Sequence, residues 1–245
     1  MKKHYFILPL LLMTVTTVFA QFNIRETYSF GREHPVTAFE LVSTDRWGST
    51  YMISNLFHPL NTDSHTSTGF YTEIERELNF WHGTAFDAWS LHLEWNGGQF
   101  ATNTLLVGTQ YLIHNTDFSN MVALGLYYRQ PVGGHNASVP VQFSIIAVFH
   151  NIFGVTGLHF KDITDFYGNH TVWTVDGKEK ETHASLFNLF ELWYNVGRHF
   201  DCPNLNIIGS LELGVNNEGA YHTGIDFMKN EGLTATTSLG IRWDF

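Results

Sequence analysis

The chain has 245 residues, of which 15% are charged and 16% aromatic, with 21 Gly, 6 Pro and a single Cys. Soluble domains carry about 25% charged residues, so this composition speaks against an ordinary soluble enzyme and for strands joined by tight turns. A formal net charge of −10 makes nucleic acid and anionic lipid surfaces poor partners, and Cys202, being alone, excludes an intramolecular disulfide.

Residues 1–20 read as a signal peptide. Lys2 and Lys3 give a positive start, Tyr5 to Val18 are mostly apolar, and Val18-Phe19-Ala20 precedes Gln21 as a small-residue cleavage site. The apolar run falls short of the roughly 20 residues that a spanning helix requires. Removing the two lysines leaves 11 basic against 23 acidic residues, a mature charge of −12. No later apolar run approaches that length, so residues 21–245 can enter a membrane only as strands.

The mature chain alternates apolar and polar residues with period two, in about twelve segments starting near residues 23, 36, 49, 69, 87, 103, 119, 139, 155, 184, 205 and 233. The fifth sets Trp89, Leu91, Leu93 and Trp95 against Ser90, His92, Glu94 and Asn96. The seventh sets Val122, Leu124, Leu126 and Tyr128 against Ala123, Gly125, Tyr127 and Arg129. In the eighth, Val141, Phe143, Ile145, Ala147 and Phe149 stand against Gln142, Ser144 and His150. The last runs from Leu233 to Phe245 with one greasy and one polar face and an aromatic final residue. Segments of roughly 9 to 12 residues are long enough for a tilted strand to cross a bilayer.

Short turns near 43–48, 81–86, 114–118, 151–154 and 197–204 alternate with longer polar connections near 58–68, 130–138, 168–183 and 216–232; those near 31–35 and 96–102 are brief. Trp47, Trp81, Trp89, Trp95, Trp193 and Trp243 fall near strand ends, as aromatic girdles do. The chain is too long for an eight-stranded lipocalin. The expected fold is therefore all-β, a transmembrane antiparallel up-and-down barrel of about 12 strands with both termini on the periplasmic side of a bacterial outer membrane.

Specific segments resemble a known family. Val36-Thr37-Ala38-Phe39-Glu40, Asp45-Arg46-Trp47-Gly48, Phe70 to Arg76, Thr164-Asp165-Phe166-Tyr167 and Gly240 to Phe245 are similar to the Tsx family of nucleoside-specific outer-membrane channels. Asp45 to Thr50, Arg76 to Trp81, Glu94 to Gly98 and Glu191 to Asn195 resemble more closely a group of Tsx-like barrels known only as a domain of unknown function. The resemblance implies a narrow twelve-stranded barrel, and its Tsx branch implies nucleoside transport.

Alternation turns Tyr71, Glu73, Glu75, Glu77 and Asn79 of the fourth strand inward, together with Glu40, Glu94, Glu191 and Glu212. Carboxylates accept hydrogen bonds from vicinal hydroxyls, and Tyr71, Tyr127 or Trp193 offer rings on which a base or sugar could stack. The lumen residues expected to meet solute are Glu40, Tyr71, Glu73, Glu75, Glu94, Lys161, Asp165, Glu191, Glu212 and Arg242. The competing reading is a wall network, with Arg25, Arg32, Lys161 and Arg242 pairing the carboxylates and fixing lumen shape. Arg76 falls on the outward face, so it either snorkels near an interface or is turned inward by a bulge.

The 14 histidines are scattered, mostly in expected loops, and none shows zinc-motif spacing. No metal, cofactor or catalytic set is read from the chain, although His170, His183 and His222 could meet outside the cell. Cys202, in a turn, reads as a bystander. No Ser and His fall on neighbouring outward positions, as an outer-membrane lipid hydrolase requires, so no enzymatic activity is expected. The expected function is passive uptake or binding of small polar solutes such as nucleosides. The partners expected beside these are outer-membrane lipids and the barrel-assembly machinery, the latter engaging the strand that ends at Phe245. The alternatives are a closed structural or adhesive barrel acting through its extracellular loops and, ranked below it, an outer-membrane lipid hydrolase.

Overall fold

A computed structural model of the protein describes residues 19–58, 69–99, 103–132, 139–175, 178–216 and 233–245. Twelve strands lie among them: β1 (Phe19–Ser29), β2 (His34–Asp45), β3 (Gly48–Phe57), β4 (Gly69–Leu78), β5 (Trp89–Gly98), β6 (Thr104–His114), β7 (Asn120–Pro131), β8 (Val141–His150), β9 (Leu158–Val175), β10 (Lys178–Tyr194), β11 (Leu205–Val215) and β12 (Leu233–Asp244). Each pairs antiparallel with its neighbours in the chain, and β12 pairs with β1 from Asn23↔Asp244 to Ser29↔Ser238, closing the barrel. Closure leaves no sheet edge within the wall, the condition that a strand structure must meet in hydrocarbon.

The alternation read from the sequence holds strand by strand. In β5 the row Ser90, His92, Glu94, Asn96 faces the lumen, and in β7 Ala123 and Tyr127 are buried while Leu126 and Tyr128 are exposed. Exposed apolar side chains ring the outside, among them Leu105, Val107, Phe143, Leu192, Ile207, Leu239 and Ile241. Of the six girdle tryptophans, Trp193 departs from expectation. It shares the inward parity of Glu191 and is buried in the lumen.

The connections after β2, β4, β6, β8 and β10 share one end of the barrel with the start of β1 and the end of β12; we call this the turn end, and the opposite one the loop end. The tightest turn, Asp45 to Gly48, is closed by the Trp47 amide donating to Asp45 Oδ1 at 2.8 Å. Gly48 sits there at φ +142°, where a Cβ would lie 2.0 Å from the Glu77 carbonyl oxygen, so no side chain fits.

The described residues of the segment 168–183, expected as a long polar loop, are instead strand, 168–175 in β9 and 178–183 in β10. β9 and β10 continue as a pair up to Val175↔Lys178, with a register shift between Thr182 and Ala184. Among the described residues they have no other partner strand beyond Tyr167 and Leu186, so there they pair only with each other, as a two-stranded ribbon at the loop end. Residues 1–18 of the expected signal peptide, most of the expected loops 58–68, 130–138 and 216–232, and His65, His135 and His222 lie outside the described residues.

Candidate functional site

The inward faces of β4 and β5 form one charged wall. Strand pairing sets Glu75 opposite Glu94, Glu77 opposite His92 and Glu73 opposite Asn96. Tyr71 donates its hydroxyl to Glu73 at 2.6 Å, and Asn96 donates to Glu94 at 2.6 Å. His92, 1% exposed, is clamped between carboxylates, with Nδ1 on Glu77 and Nε2 3.0 Å from Glu94. Carboxylates on both ring nitrogens require both to donate, the pattern of an imidazolium. Its ring stacks on Tyr127 at 4.0 Å between centroids, and the Tyr127 hydroxyl accepts from Gln110 at 3.3 Å. Gly125 makes room for that ring, since a Cβ there would meet the Tyr127 hydroxyl at 1.9 Å.

On the far wall, Asp165 of β9 accepts from the Ser144 hydroxyl and lies close enough to Glu73 and Glu94 for their charges to interact. Around this chamber stand Glu73, Glu75, Glu77, Glu94 and Asp165, with His92 as the cation among them. The excess of carboxylate makes it a place for hydroxyl-rich or positively charged solutes and an unfavourable one for anions.

Toward the turn end the lumen is crossed. Lys161 of β9 donates to Glu40 Oε1 of β2 at 2.8 Å and to the Tyr51 hydroxyl of β3 at 3.0 Å. β3 and β9 are six strands apart in either direction around the ring, so this bridge spans a full diameter. Glu40 also accepts from Asn23 at 2.8 Å and Tyr51 at 3.0 Å and lies 3.6 Å from Arg242. Arg25 pairs with Glu191, both of them buried. Arg242 donates to Asp244 at 2.7 Å and places its guanidinium 4.7 Å from the centre of the Trp193 ring. The His159 ring stacks on Trp193 at 5.2 Å.

All ten expected lumen residues face inward by register, in separate groups. Tyr71, Glu73, Glu75, Glu94 and Asp165 line the acidic chamber; Glu40, Lys161, Glu191 and Arg242 belong to the bridge and its surroundings; Glu212 pairs with Arg32 nearer the loop end. The four expected partner cations each hold a carboxylate. Of the three rings offered for stacking, Tyr127 and Trp193 are already stacked against the protein's own His92 and His159.

Sequence reasoning passed over Asn23 and Tyr51, although the parity of β1 and β3 carried the signal. It also passed over Asp162, an outward carboxylate that accepts from Asn188 at 2.7 Å on the apolar exterior. Arg76 faces outward, two residues from the turn end of β4, and grips Asp45 through both carboxylate oxygens at 2.8 and 2.9 Å. The β3–β4 ladder runs without a register shift, so no bulge turns Arg76 inward.

Glu75, Glu77 and His92 bring ligand atoms within 4.8 Å of one another and could hold a cation, but both His92 nitrogens are already engaged. The Ser90 hydroxyl donates to Glu77 rather than to a histidine.

A closed twelve-stranded barrel with a charged, bridged interior is the class that this geometry defines. The family model described as "Domain of unknown function (DUF5020)" matches residues 22–245, and the chain belongs to that family. A search of curated proteins finds no significant match. Among solved structures the chain is similar to the outer membrane protein OprD from Pseudomonas aeruginosa, with 7% identity, 92% of each chain covered and a TM-score of 0.36.

Proposed function

We propose that the protein is an outer-membrane channel that passively takes up, or binds within its lumen, small polar solutes, with nucleosides the leading candidate. The observation that carries this reading is the inward-facing acidic cluster of Tyr71, Glu73, Glu75, Glu94 and Asp165, whose carboxylates accept from hydroxyl and amine donors. The ring of exposed apolar side chains around a closed wall supports placing the strands in the bilayer. Export through the periplasm, surrounding outer-membrane lipids and assembly through the strand ending at Phe245 belong to the same proposal. Passage is by weak successive sites, and the barrel performs no chemistry on its solute. Nucleosides stand on the resemblance to the Tsx family; the chamber itself supports neutral and cationic polar solutes over anions.

The bridge from Lys161 to Tyr51 favours a second reading, a closed barrel whose loops act outside the cell. Single-channel recording in planar bilayers separates the two. Small steps that nucleosides block reversibly, and that Glu73→Gln or Glu75→Gln makes insensitive, support the channel and its solute. Steps untouched by nucleosides remove nucleosides as the solute, and a correctly folded barrel that conducts nothing overturns the channel.

A further inference from the structure

His150 and His159 are nine residues apart in the chain, a spacing that signals nothing. The β8–β9 pairing sets them directly opposite each other, on the inward face at the turn end of the lumen. Their ring centroids are 4.6 Å apart at an interplanar angle of 77°. Neither ring forms a hydrogen bond to any described residue, and His159 Nδ1 is buried without a partner. Buried ring nitrogens are ordinarily satisfied, so His159 Nδ1 lacks the group that would complete it, with the unbonded His150 ring beside it.

We infer that His150 and His159 form a binding site for a divalent transition-metal ion at the turn end of the barrel. A metal–nitrogen bond of about 2.0–2.1 Å places the ion about 3.2 Å from each ring centre. Two imidazoles on one ion then lie about 4.5 Å apart at a right angle and about 5.2 Å apart at the tetrahedral angle. The observed 4.6 Å falls between the two, nearer the right angle. Imidazole nitrogen selects zinc, copper or nickel over magnesium or calcium.

The surroundings fix ring orientation and charge. Stacking on Trp193 holds His159 in place, and the His150 ring meets the same indole edge-on at 6.3 Å. Asp117, in the turn between β6 and β7, lies near enough to His150 for charge interaction. The Ser119 hydroxyl and amide, donating to its carboxylate at 2.8 and 3.1 Å, hold its pKa below the ordinary value, so it is anionic. The positive charge of Arg242 is met by Asp244 and Glu40. The Glu75–Glu77–His92 group differs in this respect, because its imidazole is already consumed by carboxylates.

The test is calorimetric titration of the detergent-purified protein with zinc chloride, read beside His150→Asn, His159→Phe and the control His114→Asn. The phenyl ring of His159→Phe keeps the stack on Trp193 while removing both nitrogens, so folding survives. A saturable zinc site is expected, weakened at least about tenfold or lost in both variants and unchanged in the control. X-ray absorption at the zinc edge should show two imidazole nitrogens. No saturable binding, or binding that persists in both variants, overturns the site. Neither outcome depends on whether the lumen conducts.

Discussion

Lys161 touches Tyr51 across the whole width of the barrel, with Nζ 3.0 Å from the phenolic oxygen and 4.8 Å from the ring centre. Because β9 and β3 lie opposite each other, this contact crosses the lumen at the level of the acidic residues, Tyr51 being the strand-pair partner of Glu75. The crossing sets how large a solute could pass and which side chain must move.

Replacing Lys161 by Met removes the bridge and leaves the Glu40 carboxylate with Asn23, Tyr51 and a more distant Arg242. Breaking a buried pair from one side costs about 3–5 kcal/mol. Unfolding in urea should therefore begin at lower concentration, while single-channel conductance rises. Unchanged conductance in a folded Lys161→Met barrel would show that the constriction lies elsewhere.

Charge selectivity should follow the acidic chamber. Reversal potentials across a salt gradient are expected to report preference for potassium over chloride, and Glu73→Gln with Glu75→Gln should reduce it toward unity. Equal selectivity in wild type and double variant would remove these carboxylates from the ion path.

The outward pair Arg76–Asp45 should contribute measurably to stability. Donation from Nη2 to both Asp45 oxygens and the burial of the pair predict a coupling within the range of about 0.5–3 kcal/mol found for residues in direct contact. A double-mutant cycle with Arg76→Met and Asp45→Asn measures it; additivity would show that solvent or lipid headgroups satisfy each partner alone.

Asp162 stands on the apolar exterior with Asn188 and Thr164 as neighbours. Asp162→Asn keeps an acceptor for Asn188 and removes a charge from the membrane-facing wall, which should stabilise the barrel by on the order of 1 kcal/mol. Denaturant titration of the lipid-reconstituted protein tests this, and destabilisation would mean the charge has a partner.

Gly125→Ala should push the Tyr127 ring out of its stack on His92, because a Cβ has no room beneath the hydroxyl. Overpacking of this kind costs about 1–3 kcal/mol. The near-ultraviolet dichroism of the tyrosine should change, and thermal unfolding should begin earlier.

Strand number, direction and facing were legible because a closed barrel imposes one rule, period two, on every segment. The rule placed all ten expected lumen residues, and it also placed Trp193 inside, where proximity to a strand end had suggested a girdle. The ribbon of β9 and β10 reads as a loop in the sequence because its residues are polar, and polarity alone does not distinguish a solvated strand from a loop. Asp176-Gly177 between β-forming runs is a hairpin signal in its own right. Side-chain partnerships across the lumen were not legible, since Lys161 and Tyr51 meet only once the sheet has closed on itself. The same holds for His150 and His159, which become neighbours through pairing rather than spacing.

The ribbon gives β9 an unusual mechanical position. One continuous strand carries Lys161 and Asp165 inside the wall and then continues beyond the end of its β8 pairing at Tyr167 to Val175. Any force on the ribbon is carried by the same backbone that holds the ammonium across the lumen. The barrel thus carries a handle built from its own wall, attached directly to its crossbar.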